Sequence, residues 1–137
     1  MSSVKLNKMI EKLQLVNLVP EVSTDEIEIS SPEINRPALQ LAGYFEHFAS
    51  ERVQIIGYVE YTYLKSLDRD VKLANYEQFL SSDIPCVIYS TRTEPDEDMI
   101  ELAKKYHKPL LSSHRITSDL MAEVIRWLGV ELAPCIS

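Results

Sequence analysis

The sequence has 137 residues, of which 45% are hydrophobic and 26% are charged, as expected for one globular domain. Its 14 basic and 21 acidic residues give a net charge of −7, and the basic residues are scattered, so we do not expect it to bind a nucleic acid. The three glycines, Gly43, Gly57 and Gly129, are too far apart to form a P-loop or a dinucleotide-binding fingerprint.

The first part of the chain contains a predicted helix, a strand and a second helix. Apolar residues spaced three and four apart predict a helix from Val4 to Leu15. The strict alternation of residues 26–30 predicts a half-buried strand. Asn35 is expected to close a turn, and Pro37 suits the start of a largely buried helix over residues 38–48.

The rest of the chain alternates regularly between the two kinds of element. Strands are predicted at residues 53–57, 85–90 and 109–112, and helices at residues 61–67, 71–80, 94–107 and from Thr117 or Ser118 to Gly129. This alternation is typical of an α/β fold. We therefore predict a single α/β domain with a mixed or partly parallel sheet flanked by helices.

The end of the chain has a separate prediction. Thr117 or Ser118 is expected to cap the last helix and Gly129 to stop it, so that residues 1–129 form the domain and residues 130–137 begin a linker to another domain. Ordering the eight-residue tail costs about 8–16 kcal/mol of backbone entropy. Burial of its aliphatic side chains returns only about 4.5–9 kcal/mol. The tail is therefore expected to be poorly ordered, or ordered only against another chain.

No catalytic or metal-binding motif is evident in the sequence. Cys86 and Cys135 are unpaired by spacing, and Cys86 lies in an apolar run that predicts a buried thiol. None of His47, His107 and His114 has a partner at metal-ligand spacing. No apolar run approaches the ~20 residues of a membrane span, and the cysteine usage fits a reducing cytoplasm. We assign no catalytic residue, metal or cofactor to this chain.

Two segments are candidates for binding a ligand. Thr91 and Arg92 follow the strand at residues 85–90 and precede a helix, a position where open α/β sheets bind ligands and where an anion is favoured. The alternative is an ordinary loop with capping hydroxyls. Asn35 and Arg36, with Tyr44, form the second candidate, for which the alternative is a turn held by a buried arginine.

Several motifs resemble the N-terminal domain of bacterial HPr kinase/phosphorylase. Residues 34–45, INRPALQLAGYF, are similar to the INRPGLELAGYF pattern of that family, and residues 51–57, ERVQIIG, to its ERIQLLG segment. Residues 83–88, Thr91-Arg92, Glu94-Pro95 and the Leu-Ala-Pro at 132–134 follow at the family's distances. Ala38 replaces a glycine that is frequent in the family, a change that favours a helix.

The resemblance implies an enzyme whose chemistry lies beyond this chain. Enzymes of this family phosphorylate a serine of the phosphocarrier protein HPr with ATP or pyrophosphate, and remove the phosphate by phosphorolysis, in carbon catabolite repression. Their P-loop, Mg²⁺ site and acid and base residues belong to a C-terminal domain that begins soon after the Leu-Ala-Pro segment. The resemblance further implies HPr as a partner, a homo-oligomer (a hexamer at full length) and a fold like the substrate-binding domain of Mur ligases, which holds a UDP-sugar.

Two hypotheses remain open from the sequence. In the first, the chain is a non-catalytic domain that serves assembly or regulation of the kinase/phosphorylase. In the second, it is a module that binds a nucleotide-like or sugar-phosphate-like anion at Asn35, Arg36, Tyr44, Thr91 and Arg92. Neither hypothesis includes contact with a nucleic acid or a membrane.

Overall fold

The computed structural model describes residues 2–134, which form seven strands and six helices. The strands are β1 (Val4–Lys5), β2 (Val16–Asn17), β3 (Glu28–Ile29), β4 (Ile34–Asn35), β5 (Val53–Ile56), β6 (Val87–Tyr89) and β7 (Leu110–Ser112). The helices are α1 (Leu6–Leu13), α2 (Ala38–Leu41), α3 (Tyr58–Lys65), α4 (Arg69–Leu80), α5 (Glu97–Tyr106) and α6 (Thr117–Glu131).

The main sheet has five strands in the order β2-β7-β6-β5-β4. β4, β5, β6 and β7 run parallel to one another, and only β2, at one edge, is antiparallel to its neighbour. The register pairs Ile55 of β5 with Ile88 of β6 and Ile88 with Leu111 of β7. β1 and β3 form a separate antiparallel pair. The predicted α/β fold with a mixed, largely parallel sheet is confirmed.

Each face of the sheet packs on its own hydrophobic core. Side chains alternate along β5 and β6, so Ile55 and Ile88 face one layer and Ile56 and Val87 face the other. The first layer is closed by α1 and α6, and the second by α2, α3, α4 and α5. All four residues of β5 and all three of β6 are buried, as expected for parallel strands covered on both faces.

Three predictions for the first half of the chain are wrong in detail. Val4 and Lys5 pair with β3 as a strand, so α1 begins only at Leu6. Asn35 lies in the edge strand β4 rather than in a turn, because its backbone pairs with Gln54 of β5. The helix predicted over residues 38–48 is the single turn α2, and Gly43 with φ +99° turns the chain away just after it.

Both predicted limits of the last helix are also wrong. Ile116 occupies the N-cap position of α6, and the hydroxyl of Thr117 pairs instead with that of Ser90 at 2.8 Å. Gly129 lies inside the helix, which continues to Glu131 because the next apolar residue, Leu132, packs into the core at 9% exposure.

The structure describes part of the predicted tail. Its first residues, 130–132, continue the fold, and the Leu132 carbonyl accepts a hydrogen bond from the Ser2 hydroxyl at 3.1 Å. Residues 135–137 lie outside the described part of the chain. The domain boundary at residue 129 stays a prediction.

Candidate functional site at the carboxyl edge of the sheet

The carboxyl ends of the four parallel strands bring distant segments of the sequence together. Arg36 follows β4, Gly57 and Tyr58 follow β5, Thr91 and Arg92 follow β6, and Thr117 lies beyond β7 at the start of α6. Parallel strands end at the same edge of a sheet, so these residues become neighbours in the fold. Arg36 and Thr117, for example, are 81 positions apart in the sequence.

Two adjacent hollows lie along this edge. One, of about 370 Å³, is lined by Arg36, Tyr58, Thr117 and neighbouring residues of α3 and α6. The other, of about 260 Å³, is lined by Tyr58, Thr91, Arg92, Ile116 and Thr117. Tyr58 and Thr117 border both hollows. Arg36 and the Thr91-Arg92 segment therefore lie along one continuous surface. Tyr58 and Thr117, which connect them, were not predicted as site residues.

Arg36 is held by a buried carboxylate. Its Nε and Nη2 atoms donate to the two oxygens of Glu60 at 2.7 and 2.6 Å. Glu60 is 2% exposed, and its Oε1 also accepts the backbone N–H of Gly57 at 3.0 Å. The third nitrogen, Nη1, meets only the sulfur of Met121, at 3.4 Å. One edge of the guanidinium is thus committed to Glu60, and the other has a weak acceptor.

Asn35 and Tyr44 do not line these hollows. The Asn35 amide donates to Gln54 Oε1 at 2.7 Å and to Gln40 Oε1 at 3.2 Å. Gln54 is fully buried, and its own amide donates to the carbonyls of Arg52 and Ala49. Tyr44 is 48% exposed beyond α2. The structure gives Asn35 a place in a polar network beside β5 and does not gather Tyr44 with Arg36.

Thr91 and Arg92 lie in a tight loop after β6. The Thr91 N–H donates to the Arg115 carbonyl at 2.8 Å, and Arg92 has φ of +65°, a left-handed conformation that is uncommon for arginine. Arg92 is exposed, and among residues 2–134 no carboxylate comes within 4.0 Å of its guanidinium. Arg92 is therefore the cation at this edge that remains available to an anion.

Gly57, Glu60 and Thr117 belong to this edge but were not predicted as site residues from the sequence. Gly57 follows β5, and a Cβ at this position would lie 2.7 Å from both Arg36 Nη2 and Thr117 Cγ2. Only glycine lets the start of α3 approach so closely. Glu60, three residues after Gly57, has the spacing of a residue that bonds back to the N-cap backbone. That spacing was the available signal for Glu60, whereas nothing local to Thr117 indicates its contact with Ser90.

The edge has groups that can bind an anion: a guanidinium, threonine hydroxyls and a phenol. Burial raises the pKa of the Cys86 thiol to about 12, which leaves it protonated and unreactive. No three His, Cys, Asp or Glu side chains within residues 2–134 are grouped so that they could hold a metal ion. In the same range, no helix is both long and apolar enough to cross a bilayer.

A comparison with solved structures found a similar fold. The chain superposes with a TM-score of 0.55 and 17% identity on the CBS and DRTGG domains of the regulatory region of Clostridium perfringens pyrophosphatase, covering 95% of this chain and 47% of the other. That structure contains the activator diadenosine tetraphosphate. At this identity the likeness concerns the fold alone. The expected likeness to the Mur ligase domain stays a prediction.

Comparison of the sequence gives the relationship directly. The chain is 44% identical over 137 residues to the HPr kinase/phosphorylase of Lachnoclostridium phytofermentans and 39% identical to that of Alkaliphilus metalliredigens. All of this chain is matched, and it spans 44% of the length of each relative. Residues 4–128 match the family described as "HPr Serine kinase N terminus". The chain therefore belongs to the family of HPr kinase/phosphorylase N-terminal domains.

Proposed function

We propose that this chain acts as the non-catalytic N-terminal module of an HPr kinase/phosphorylase and serves the assembly or regulation of that enzyme. The proposal rests on one observation: the whole chain matches only 44% of the length of each of these relatives. The sequence adds support, because its three separated glycines cannot form a phosphate-binding loop. ATP or pyrophosphate, Mg²⁺ and the reacting serine of HPr would be handled by the remaining part of such an enzyme, as a homo-oligomer in the cytoplasm.

A phosphorylation assay tests this proposal. The purified chain is incubated with ATP, Mg²⁺ and HPr, and phosphoserine is measured by mass spectrometry. We expect no phosphoserine, while the full-length relative from Lachnoclostridium phytofermentans, run in parallel, phosphorylates HPr. Phosphorylation of HPr by the chain alone would contradict the non-catalytic role. A sedimentation experiment on the chain alone then measures whether the module self-associates, as expected for a role in assembly.

The hollows at the carboxyl edge favour a second function, the binding of a phosphate-bearing small molecule. Arg92 supplies an unpaired guanidinium, and the hydroxyls of Thr91, Thr117 and Tyr58 lie around the same two hollows. Arg36 borders the larger hollow, although Glu60 neutralises much of its charge. These groups suit the phosphate of a nucleotide or a sugar.

Calorimetric titration with UDP-sugars, nucleotides and sugar phosphates tests this second function. The informative variant is Arg92→Gly, because glycine accepts the left-handed backbone at this position and the fold is preserved. We expect the variant to weaken phosphate binding about tenfold or more. Arg126→Gln, which removes an exposed cation on α6 far from the edge, is the control. Absence of heat across the panel, or equal affinity of Arg92→Gly, would exclude this function.

A further inference from the structure

A separate cavity lies on the other side of α3, between α3, α4 and the loop before α5. Its volume is about 290 Å³. It shares no lining residue with the two hollows beside Arg36 and Arg92. Ile56 and Tyr89, the last residues of β5 and β6, border its inner end, so it too is at the carboxyl edge of the sheet.

The inner part of the cavity is aromatic and apolar. Ile56, Leu64, Tyr76 and Tyr89 line it and are all buried, at 8% exposure or less. The Tyr61 ring lies nearer the mouth, with the Lys65 ammonium 4.2 Å from its centroid. Walls of this kind accept a planar apolar ring. The volume of this cavity is at the small end of the range for ligand-binding sites, so it suits one small metabolite.

The hydroxyl of Tyr89 is the polar group in this cavity that lacks a partner. Tyr89 is 2% exposed, yet its hydroxyl makes no hydrogen bond within residues 2–134. Within residues 2–134, Arg52 Nε is the one side-chain nitrogen or oxygen that is both inaccessible to solvent and without a hydrogen-bond partner. The Tyr89 hydroxyl is therefore accessible to solvent. The space that this hydroxyl reaches is therefore the cavity that Tyr89 lines. A buried phenol without a partner is costly unless water or a ligand pairs with it.

Three other polar groups of the cavity wall, on Lys72, Tyr76 and Asp96, already pair with one another. Asp96 Oδ2 accepts from Tyr76 at 2.9 Å and from the Lys72 ammonium at 2.8 Å. Asp96 Oδ1 accepts the backbone N–H of Met99 at 2.8 Å, which caps α5. Burial and the Asp96 charge raise the pKa of Tyr76, so this phenol remains a donor. The triad of Lys72, Tyr76 and Asp96 is a closed, charge-neutral wall that leaves Tyr89 free.

The mouth of the cavity carries one charge of each sign that forms no salt bridge within residues 2–134. Lys65 and Glu94 are both exposed lining residues. Neither forms an ion pair within 4.0 Å in the described part of the chain. An anion alone would meet the Glu94 carboxylate, and a cation alone would meet the Lys65 ammonium. A zwitterion complements both.

We propose that this cavity binds a small zwitterion with an aromatic side chain, the chemistry of an aromatic amino acid. The ring enters among Ile56, Leu64 and the tyrosines, and a polar ring atom pairs with the Tyr89 hydroxyl. The carboxylate meets Lys65, and the ammonium meets Glu94. The site is independent of the phosphate-binding function proposed for Arg92 and of the role of the domain in the kinase/phosphorylase.

The test is titration of the ¹⁵N-labelled chain with L-tryptophan, L-tyrosine and L-phenylalanine, followed by backbone amide shifts. We expect shifts at residues of α3, at Tyr89 and at Glu94, with dissociation constants of ~1 mM or below for L-tryptophan or L-tyrosine. Phenethylamine, which lacks the carboxylate, and 3-phenylpropionate, which lacks the ammonium, are expected to bind about threefold to tenfold more weakly than L-phenylalanine. Absence of shifts with all three amino acids, or binding of either analogue as tight as that of L-phenylalanine, would overturn the proposal.

Two variants make the assignment specific. Tyr89→Phe removes the hydroxyl and no hydrogen bond of the protein, so its unfolding midpoint is expected to be unchanged. It should weaken L-tryptophan or L-tyrosine about tenfold and leave L-phenylalanine unaffected. Exposed Lys65→Gln should weaken L-phenylalanine but not phenethylamine. Tyr63→Phe, on the same helix but outside the cavity, is the control. Unchanged affinity for all ligands in Tyr89→Phe would contradict the assigned role of that hydroxyl.

Discussion

Three segments of the chain come close together at Gly57. Gly57 follows β5, donates its N–H to Glu60 and lies against Arg36 and Thr117. Its backbone is extended, with φ of −105° and ψ of −173°, so any residue tolerates the conformation. The requirement for glycine comes from space alone, because neither Arg36, held by Glu60, nor Thr117, paired with Ser90, can move away freely.

We predict that Gly57→Ala destabilises the protein by about 1–3 kcal/mol, the usual effect of overpacking a rigid site. Gly129→Ala is the matched control. A Cβ on Gly129 meets nothing within 4 Å, and this residue lies in α6, so alanine should stabilise the helix by about 0.5–1 kcal/mol. Urea denaturation measures both changes. A Gly57→Ala variant as stable as the parent would mean that the edge is more open than described.

At the scale of elements, a buried carboxylate of α3 forms an ion pair that reaches the edge of the sheet. The outer face of α3 is exposed, with Val59 at 70% and Tyr58 at 58% exposure. Its inward-facing residues are Glu60 and Leu64, and Glu60 binds the arginine that follows β4. The pair thus joins the edge strand β4 to the helix that separates the hollows beside Arg36 from the cavity beside Tyr89.

Glu60→Gln should therefore destabilise the protein by about 1.5–3 kcal/mol, the range for a hydrogen bond to a charged group. The physical reason is that Arg36 keeps its charge in a half-buried position without a carboxylate. Glu123→Gln on α6, which removes an exposed pair with Arg126, is expected to change stability by less than about 0.5 kcal/mol. Equal unfolding midpoints for the two variants would show that the buried pair contributes no more than the exposed one.

At the scale of the whole molecule, several carboxylates join elements on the α4 and α5 side. A hydrogen bond from Tyr106 lowers the pKa of Glu77, and Lys105 adds to this effect. A hydrogen bond from Arg69 lowers the pKa of Asp98, joining α4 to α5. A hydrogen bond donated by its own backbone N–H and one donated by Lys104 lower the pKa of Glu21. Each carboxylate is more acidic in the folded state than in the unfolded chain.

These shifts predict how stability depends on pH. A carboxyl group whose pKa is lowered on folding stabilises the protein above its unfolded value, and this contribution is lost as the pH falls through the folded value. We therefore expect the urea midpoint to be level near pH 7 and to fall below about pH 4, the ordinary range of these groups. Glu77→Gln should show a shallower fall than the parent. If the stability of Glu77→Gln falls with pH in the same way as that of the parent, Glu77 does not contribute to the loss of stability in acid.

The sequence by itself determined the class of fold, the family and most of the elements. Period-two and period-3.6 patterns carry that information locally, so the buried strands β5 and β6 and the helices α4 and α5 were predicted close to their observed limits. The alternation of Ile27 and Ile29 was likewise predicted, and both side chains face the same core layer. The motifs at residues 34–45 and 51–57 carried the family assignment.

The tertiary structure decided the features that depend on partners distant in sequence. Asn35 is a strand residue only because β5 lies beside it, and Gly129 stays helical because Leu132 packs into the core. Thr117 hydrogen-bonds to Ser90 instead of capping its own helix. The candidate sites have the same origin. Arg36, Tyr58, Arg92 and Thr117 become neighbours because parallel strands end at the same edge, and Ile56, Tyr76 and Tyr89 line one cavity although they belong to three separate elements.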